Sequence, residues 1–281
     1  MQIIHPISGM QRTADALRAS GRRIGFVPTM GYLHEGHASL IRHARKQSNE
    51  VIVSIFVNPA QFGPGEDYQA YPRDLDRDLR LIRETGGDIV FIPSAEEMYP
   101  PGFATSVHVE GLTEGLCGAS RPGHFRGVTT VVAKLLTAVK PHLAVFGQKD
   151  AQQALVIRRM VRDLNLDAEV LIAPTVREPD GLAMSSRNIY LSPEERIEAG
   201  GLYQALRLAR KMVQAGEREA PKIIQKMRDL LSERPSARID YISIVDTQGL
   251  KPMDRLTGEV LVAVAVRFGR ARLIDNVILN L

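Results

Sequence analysis

The chain has no tryptophan, one cysteine and only 5% aromatic residues in 281 positions. A single cysteine excludes an intrachain disulfide framework and suits a reducing, cytoplasmic setting. The scarcity of aromatics argues against a base-stacking platform for single-stranded nucleic acid. No apolar run approaches the ~20 residues that span a bilayer, and residues 1–20 lack the apolar core of a signal peptide. Charge of one sign is missing too: 36 basic residues are interspersed with 32 acidic ones, for a net +4. Short basic clusters at 42–46 and 207–211 read as solvated helix faces, and the pI of about 9.3 suits an anionic small molecule better than nucleic acid. The expected partners are therefore small molecules, with no nucleic acid and no membrane.

What is present is an alternation of two hydrophobic periods. Apolar runs predict strands at 24–28, 50–57, 88–92, 143–147 and 168–173, and helical spacing predicts helices at 10–20, 37–48, 73–86, 126–139 and 151–164. Asp150 stands as a candidate N-cap, with Gln153 three residues on. Strand–helix alternation implies a parallel sheet covered on both faces. From about 176 the pattern changes to helices at 193–215 and 219–233, then strands at 237–246, 259–268 and 271–279, with Gly269 and Arg270 as a tight hairpin turn. The fold class is thus α/β, a Rossmann-like parallel sheet over 1–175 followed by a smaller α+β domain over 176–281. Loops at 58–72, 93–104 and 174–192 are long enough to be functional.

The densest signal is Pro28-Thr-Met-Gly-Tyr-Leu-His-Glu-Gly-His37, where an apolar run stops and an amphipathic helix begins. A helix start offers unpaired N–H groups and partial positive charge, which suit a phosphate. Gly36 permits close approach, and protonated imidazoles of His34 and His37 would donate to phosphoryl oxygens. Half of a metal site and a pair of solvated caps are the other readings of two histidines three apart; no third ligand lies at a useful spacing.

Other clusters follow strand ends. Asn58 and Gln61 follow the second predicted strand, and Gly147-Gln148-Lys149-Asp150 follows the fourth. In parallel sheets, ligands lie beyond the carboxyl ends of strands. Lys149 suits a phosphate and Asp150 ribose hydroxyls, or the two form a cap and a solvated charge. Ser185, Ser186 and Arg187 offer hydroxyls and a planar cation for a polyphosphate, or an ordinary capping run. The amides of Asn58, Gln61 and Gln153 can orient a hydroxylated substrate, or serve as turn formers. Asp74, Asp76 and Asp78 in a first helical turn complement the helix dipole, and one of them can hold Mg²⁺. Arg121-Pro-Gly-His124-Phe-Arg126 precedes a helix and suits a carboxylate or phosphate, or a simple cap.

In this order and spacing the segments resemble the pantoate–β-alanine ligase (pantothenate synthetase) family over nearly the whole chain. They are Pro28 to His37, Phe56-Val-Asn-Pro-Ala-Gln-Phe62, Tyr71-Pro-Arg73, Arg121 to Gly127, Gly147 to Asp150 with Gln152 and Gln153, Pro174 to Glu178, and Gly181 to Asn188. The resemblance implies ATP-dependent condensation of pantoate with β-alanine through a pantoyl adenylate, Mg²⁺, a nucleotidyltransferase-type Rossmann-like domain, a C-terminal lid and a homodimer. It assigns ATP to Met30, Gly31, Tyr32, Leu33, His34, Glu35, Gly36 and His37, to Gly147, Gln148, Lys149 and Asp150, and to Val176 and Met184 to Arg187. It assigns pantoate to Gln61 and Gln153, with Asn58 beside them; His37 takes the proton-donor role, His34 and Lys149 join it as catalytic groups that neutralise charge on the phosphates, and Asp78 takes the Mg²⁺. Position 148 is Gln where many relatives carry Glu. The alternatives are another nucleotidyltransferase with His-x-Gly-His, which leaves Gln61 and Gln153 unexplained, and a tRNA-binding synthetase-like module, which needs a basic, aromatic-bearing domain that 176–281 does not show.

Overall fold

The β-branched and aromatic runs of the first half form strands, as side chains that fill a pleated surface should. In a computed structural model that describes all 281 residues, six strands make one sheet: β1 (Gln2–Ile4), β2 (Ile24–Thr29), β3 (Glu50–Ile55), β4 (Ile89–Phe91), β5 (Leu143–Gly147) and β6 (Glu169–Ala173). Their order is β1-β4-β3-β2-β5-β6, and every pairing is parallel. The intervening helices are α1 (Ile7–Ala19), α2 (Glu35–Arg45), α3 (Leu75–Thr85), the single turns α4 (Ala95–Met98) and α5 (Cys117–Ser120), α6 (His124–Val139) and α7 (Ala151–Asp163).

Successive side chains of a strand point to opposite faces. Val27, Val51, Val53, Val90, Leu143 and Val145 form one buried cluster with Ile41 and Ala44 of α2 and Ile82 of α3. Their alternates Phe26, Ile52, Phe91 and Ala144 are also fully buried, on the face where α1 and α6 pack against each other and against β2. Burial on both faces explains why these strands read as continuous apolar runs. From β2 the chain winds through β3 to β4, whereas β5 lies on the other side of β2. The order therefore reverses between β2 and β5, and ligands of open α/β sheets bind beyond the strand ends at such a point.

The chain divides into two compact units. The first comprises Met1–Glu110, Arg121–Gln148 and Gln153–Pro174; the second comprises Gly111–Ser120, Lys149–Gln152 and Thr175–Leu281. In the second, β7 (Ala237–Asp246), β8 (Glu259–Phe268) and β9 (Ala271–Asn280) form an antiparallel sheet in that order. Two helices, α9 (Gly201–Gln214) and α10 (Ala220–Ser232), cover it, and α8 (Pro193–Ala199) precedes them. Their apolar faces, among them Leu202, Leu206, Ile223 and Met227, join Val262, Val264 and Phe268 in its core. Gly269, at φ +52°, and Arg270 make the expected two-residue hairpin turn.

Besides shifts of a few residues at helix and strand ends and the single turns α4 and α5, the structure departs from the sequence-based expectations in four places. β1 was not foreseen. α1 starts at Ile7 rather than 10. The expected helix 193–215 is two helices meeting at Gly200, where two successive glycines, Gly200 and Gly201, are poorer helix formers than any residue but proline. Asp150 lies in a 3₁₀ turn, Gln148–Asp150, that runs into α7, instead of standing alone as its cap. No helix is long and apolar enough to cross a membrane.

Candidate active site

The loop after β2 carries two consecutive residues in left-handed backbone, Gly31 at φ +82° and Tyr32 at φ +51°. For Tyr32 this conformation is costly, and the loop is held from two sides. The Thr29 hydroxyl donates to the Ser54 carbonyl (2.7 Å) and accepts from the Gly31 N–H (3.2 Å). From α3, the Asp78 carboxylate accepts from the Tyr32 N–H and the Leu33 N–H, each at 2.7 Å. A Cβ on Gly31 would come within 3.0 Å of Asp78 Oδ2. Asp78 is 1% exposed. Burial pushes its carboxyl above the usual Asp value, against the opposing pull of the two N–H bonds.

That loop delivers His34 as the N-cap of α2 and His37 one turn on. The Gly36 N–H donates to His34 Nδ1 (3.1 Å), and the His34 N–H donates to His37 Nδ1 (3.3 Å), a reciprocal capping box built from two imidazoles. A backbone N–H can only donate, so both Nδ1 atoms are acceptors and the ring proton of each histidine sits on Nε2. The expectation of protonated imidazoles is thereby corrected: neutral rings with the proton on Nε2 are what the capping bonds select. The rings lie 4.2 Å apart, centroid to centroid. Glu35, in the same first turn, pairs with Arg42 along the helix.

Beyond β3, the 3₁₀ turn Pro59–Gln61 carries Gln61. Its carbonyl accepts from His124 Nδ1 (2.8 Å) and from Arg121 (3.3 Å), and Arg121 is clamped by both oxygens of Glu66 at 2.7 and 2.6 Å. Arg121 also donates to His124 Nε2 (3.0 Å). Because Arg cannot accept, His124 is the Nδ1–H tautomer. On Glu66, burial pulls the pKa upward, but the bond and charge of Arg121 outweigh it and hold the carboxyl below its ordinary value. Asn58 was expected to touch substrate. It is instead 0% exposed, and its amide is fully engaged within the protein: Oδ1 accepts from the Ala60 N–H (3.3 Å) and the Tyr99 hydroxyl (2.7 Å), while Nδ2 donates to Gln61 Oε1 (3.0 Å) and the Gly127 carbonyl (3.1 Å). Gln61 Nε2 meets the Met30 thioether at 3.1 Å, a weak acceptor.

Asp78 does not suit the Mg²⁺ role expected of it. Both oxygens are engaged by backbone N–H groups, and no group of three His, Cys, Asp or Glu residues is arranged to hold a metal ion. Asp74 caps α3 by accepting from the Arg77 N–H (3.1 Å), the dipole-and-cap role open to any acid there.

Gly147 ends β5 and Gln148 opens the following turn, while Gln153 lies half-buried in the first turn of α7. In the second unit, Lys149 Nζ lies 3.7 Å from Asp150 Oδ1. The Lys149 carbonyl accepts from Asn276 Nδ2 of β9 (2.8 Å). Gln152, half of the Gln-Gln pair in the sequence, is spent on the backbone of Leu112, Gly115 and Cys117. Val176 and Met184 are brought together across a small hairpin, the Met184 N–H donating to the Val176 carbonyl at 3.0 Å. Ser185 then caps the turn Ser186–Tyr190 by accepting from the Arg187 N–H (3.2 Å), and Ser186 is buried.

Sequence reasoning missed Asp275, Asn276 and Arg177. Asp275 is buried in β9 and takes two bonds from Arg177, at 2.5 and 3.0 Å, plus the Asn276 N–H at 2.8 Å. Its signal was present: Asp-Asn interrupts the otherwise apolar run Leu273 to Leu279, and polar residues inside a buried strand need partners. Tyr99 and Glu66 were missed as well, having no periodic or motif signal of their own.

Comparison with known proteins places this geometry. The family model for pantoate-beta-alanine ligase matches residues 2–278. A pantothenate synthetase from Thermotoga petrophila is 57% identical over 280 residues, covering 100% of both chains. The crystal structure of pantothenate synthetase from Thermus thermophilus superposes with a TM-score of 0.93 at 49% identity, covering 99% of each chain. A pantoate-beta-alanine ligase from Francisella tularensis, solved with Beta-gamma ATP and beta-alanine, gives 0.81 at 35% identity, covering 99% of this chain and 97% of that one. These full-length matches do not favour the reading as another nucleotidyltransferase. The chain belongs to the pantoate–β-alanine ligase family.

Proposed function

We propose that this chain joins pantoate to β-alanine at the expense of ATP, releasing AMP and pyrophosphate. The observation that carries the reading is the locked tautomer pair. Two backbone N–H groups fix both Nδ1 atoms as acceptors, so His34 and His37 present Nε2–H donors at the N-terminus of α2, beside the point where strand order reverses. That is a pre-organised receptor for phosphoryl oxygens.

A pantoate carboxylate oxygen attacks the α-phosphorus; the bond to the bridging oxygen of pyrophosphate breaks and its electron pair leaves with pyrophosphate. The amine of β-alanine then attacks the acyl carbon and AMP departs. No protein nucleophile is required, so catalysis is orientation and charge stabilisation. His34 and His37 donate hydrogen bonds to the phosphates through Nε2–H; because the capping bonds keep both rings neutral, His37 stabilises the charge on the leaving pyrophosphate rather than transferring a proton to it. In the second unit, Lys149, Ser185, Ser186 and Arg187 offer charge and donors suited to ATP's phosphates, Asp150 an acceptor for ribose, and Val176 and Met184 apolar contacts for adenine. Gln61 and Gln153 orient pantoate. Mg²⁺ enters as the counter-ion carried by ATP's phosphates, with no residue of this chain assigned to it. A homodimer belongs to the same reading and is checked by sedimentation.

The test is isotope exchange. With ATP and pantoate present and β-alanine withheld, labelled pyrophosphate should enter ATP, and omission of pantoate should abolish the exchange. Exchange that ignores pantoate, or that requires β-alanine, would reject the adenylate as the first product.

A further inference from the structure

The Asn58–Gln61 contact has a direction that the backbone imposes. The Ala60 N–H can only donate, so it must face Asn58 Oδ1; the Gly127 carbonyl can only accept, so it must face Nδ2. The orientation of the Asn58 amide is thus fixed by two groups that cannot exchange roles. Nδ2 therefore points to Gln61, whose Oε1 must be turned toward it. The Tyr99 hydroxyl, facing Oδ1 at 2.7 Å, must be the donor in that bond.

The backbone of Gln61 is immobilised independently. A Cβ on Gly127 of α6 would lie 2.2 Å from the Ala60 carbonyl oxygen and 2.7 Å from Gln61 Cα. Helix and turn are in direct backbone contact, closer than any residue but glycine permits. His124 and Arg121 hold the Gln61 carbonyl from the other end. What remains to be set is the Gln61 side chain, and Asn58 sets it.

We propose that Tyr99 is a positioning residue: through Asn58 it holds Gln61 so that Nε2, the donor end of the amide, faces pantoate. This rests on the reading of Gln61 as a pantoate ligand. The specificity consequence is that the substrate oxygen facing Gln61 must accept a hydrogen bond, as a carboxylate or a hydroxyl lone pair does. A substrate offering a donor or a methyl there leaves Nε2 with only the Met30 thioether, a weak acceptor, and is discriminated against. Tyr99 suits the task because its ring is wedged edge-on to Phe103, with centroids 5.2 Å apart, and tilted against Phe56. Burial pushes its hydroxyl up to about 12, so it keeps its proton at any working pH.

The experiment is a double-mutant cycle on the full-length protein with Tyr99→Phe and Gln61→Ala, reading KM for pantoate and for ATP, with thermal melts as a control on folding. Tyr99→Phe should raise the pantoate KM roughly tenfold, the scale of one net hydrogen bond, and leave the ATP KM within about twofold. In the Gln61→Ala background the same change should add nothing, because the group it positions is gone. An additive effect in that background, or equal rises in both KM values, would overturn the relay and reduce Tyr99 to packing. A normal pantoate KM for Tyr99→Phe beside a raised one for Gln61→Ala would sink the relay alone. A normal pantoate KM for Gln61→Ala would sink the assignment of Gln61 on which the relay stands.

Discussion

Asp78→Asn is the substitution that most sharply separates a positioning carboxylate from a metal ligand. Asp78 accepts two backbone N–H bonds at 2.7 Å, from Tyr32, strained at φ +51°, and from Leu33. Asn is nearly isosteric but keeps one acceptor and turns an NH₂ toward the other N–H. That donor is left buried and unsatisfied, which costs about 1–3 kcal/mol. The surviving bond also loses its charge assistance. Against this, removing a buried charge recovers desolvation, the same burial that raises the Asp78 pKa. The net expectation is a loss of about 1–3 kcal/mol in stability, or very roughly 2–10 °C in melting temperature for a chain of this size. It should appear in the ligand-free protein, with no ATP or Mg²⁺ present. A pH signature accompanies it. A carboxyl with a raised folded pKa binds its proton more tightly in the folded state, so wild-type stability falls as pH rises from the ordinary Asp value through the raised one. The Asn variant should lack that slope. Adenylation should fall as well, because the loop that delivers His34 and His37 would shift, and small misplacements cost rate steeply. A ligand-free variant that melts like wild type, and differs only in its Mg²⁺ requirement, would refute the positioning role.

Three further outcomes follow from the geometry. Gly127→Ala forces a methyl to 2.2 Å from the Ala60 carbonyl oxygen; the turn must move, and we expect about 1–3 kcal/mol lost as for other overpacked sites, with a raised pantoate KM and little change for ATP. Glu66, held below its ordinary value in the folded protein by Arg121, contributes stability that is present above pH ~4.5 and lost as pH falls through the lowered folded pKa; acid melts of Glu66→Gln should show a shallower decline than wild type over that window. Arg177→Met leaves the fully buried Asp275 side chain without its partner, which should cost about 3–5 kcal/mol; a chemical denaturation midpoint unchanged from wild type would contradict the pairing.

Much of the fold was legible because buried parallel strands leave a plain mark. Ile24 to Val27 and Leu143 to Phe146 are apolar on both faces, and no helical period fits them. β1 was not legible: three residues, Gln2 to Ile4, are too few for a period, and only their parallel pairing with β4 makes them a strand. Strand order was equally hidden, since nothing local tells β5 to lie beside β2. At the site, motif spacing singled out His34, His37, Gln61 and Lys149, the residues on which the proposed chemistry rests. It misjudged Asn58 and Asp78, because an amide or carboxylate that touches a ligand and one that braces the residue touching it look alike in sequence. Which role each has depends on where its hydrogen bonds end, at Tyr99, Gly127 and the Tyr32–Leu33 backbone. Tyr99 itself is distant in sequence and carried no pattern at all.

Attack of the pantoate carboxylate on the α-phosphorus of ATP is read out by the fate of a labelled oxygen. Pantoate carrying heavy oxygen in its carboxylate is mixed with ATP, Mg²⁺ and β-alanine, and the products are weighed by mass spectrometry. Attack at the α-phosphorus gives AMP bearing one heavy oxygen, unlabelled pyrophosphate, and an amide that retains the other. Unlabelled AMP, or the label in a phosphate released from the γ position with ADP as the nucleotide product, would contradict it.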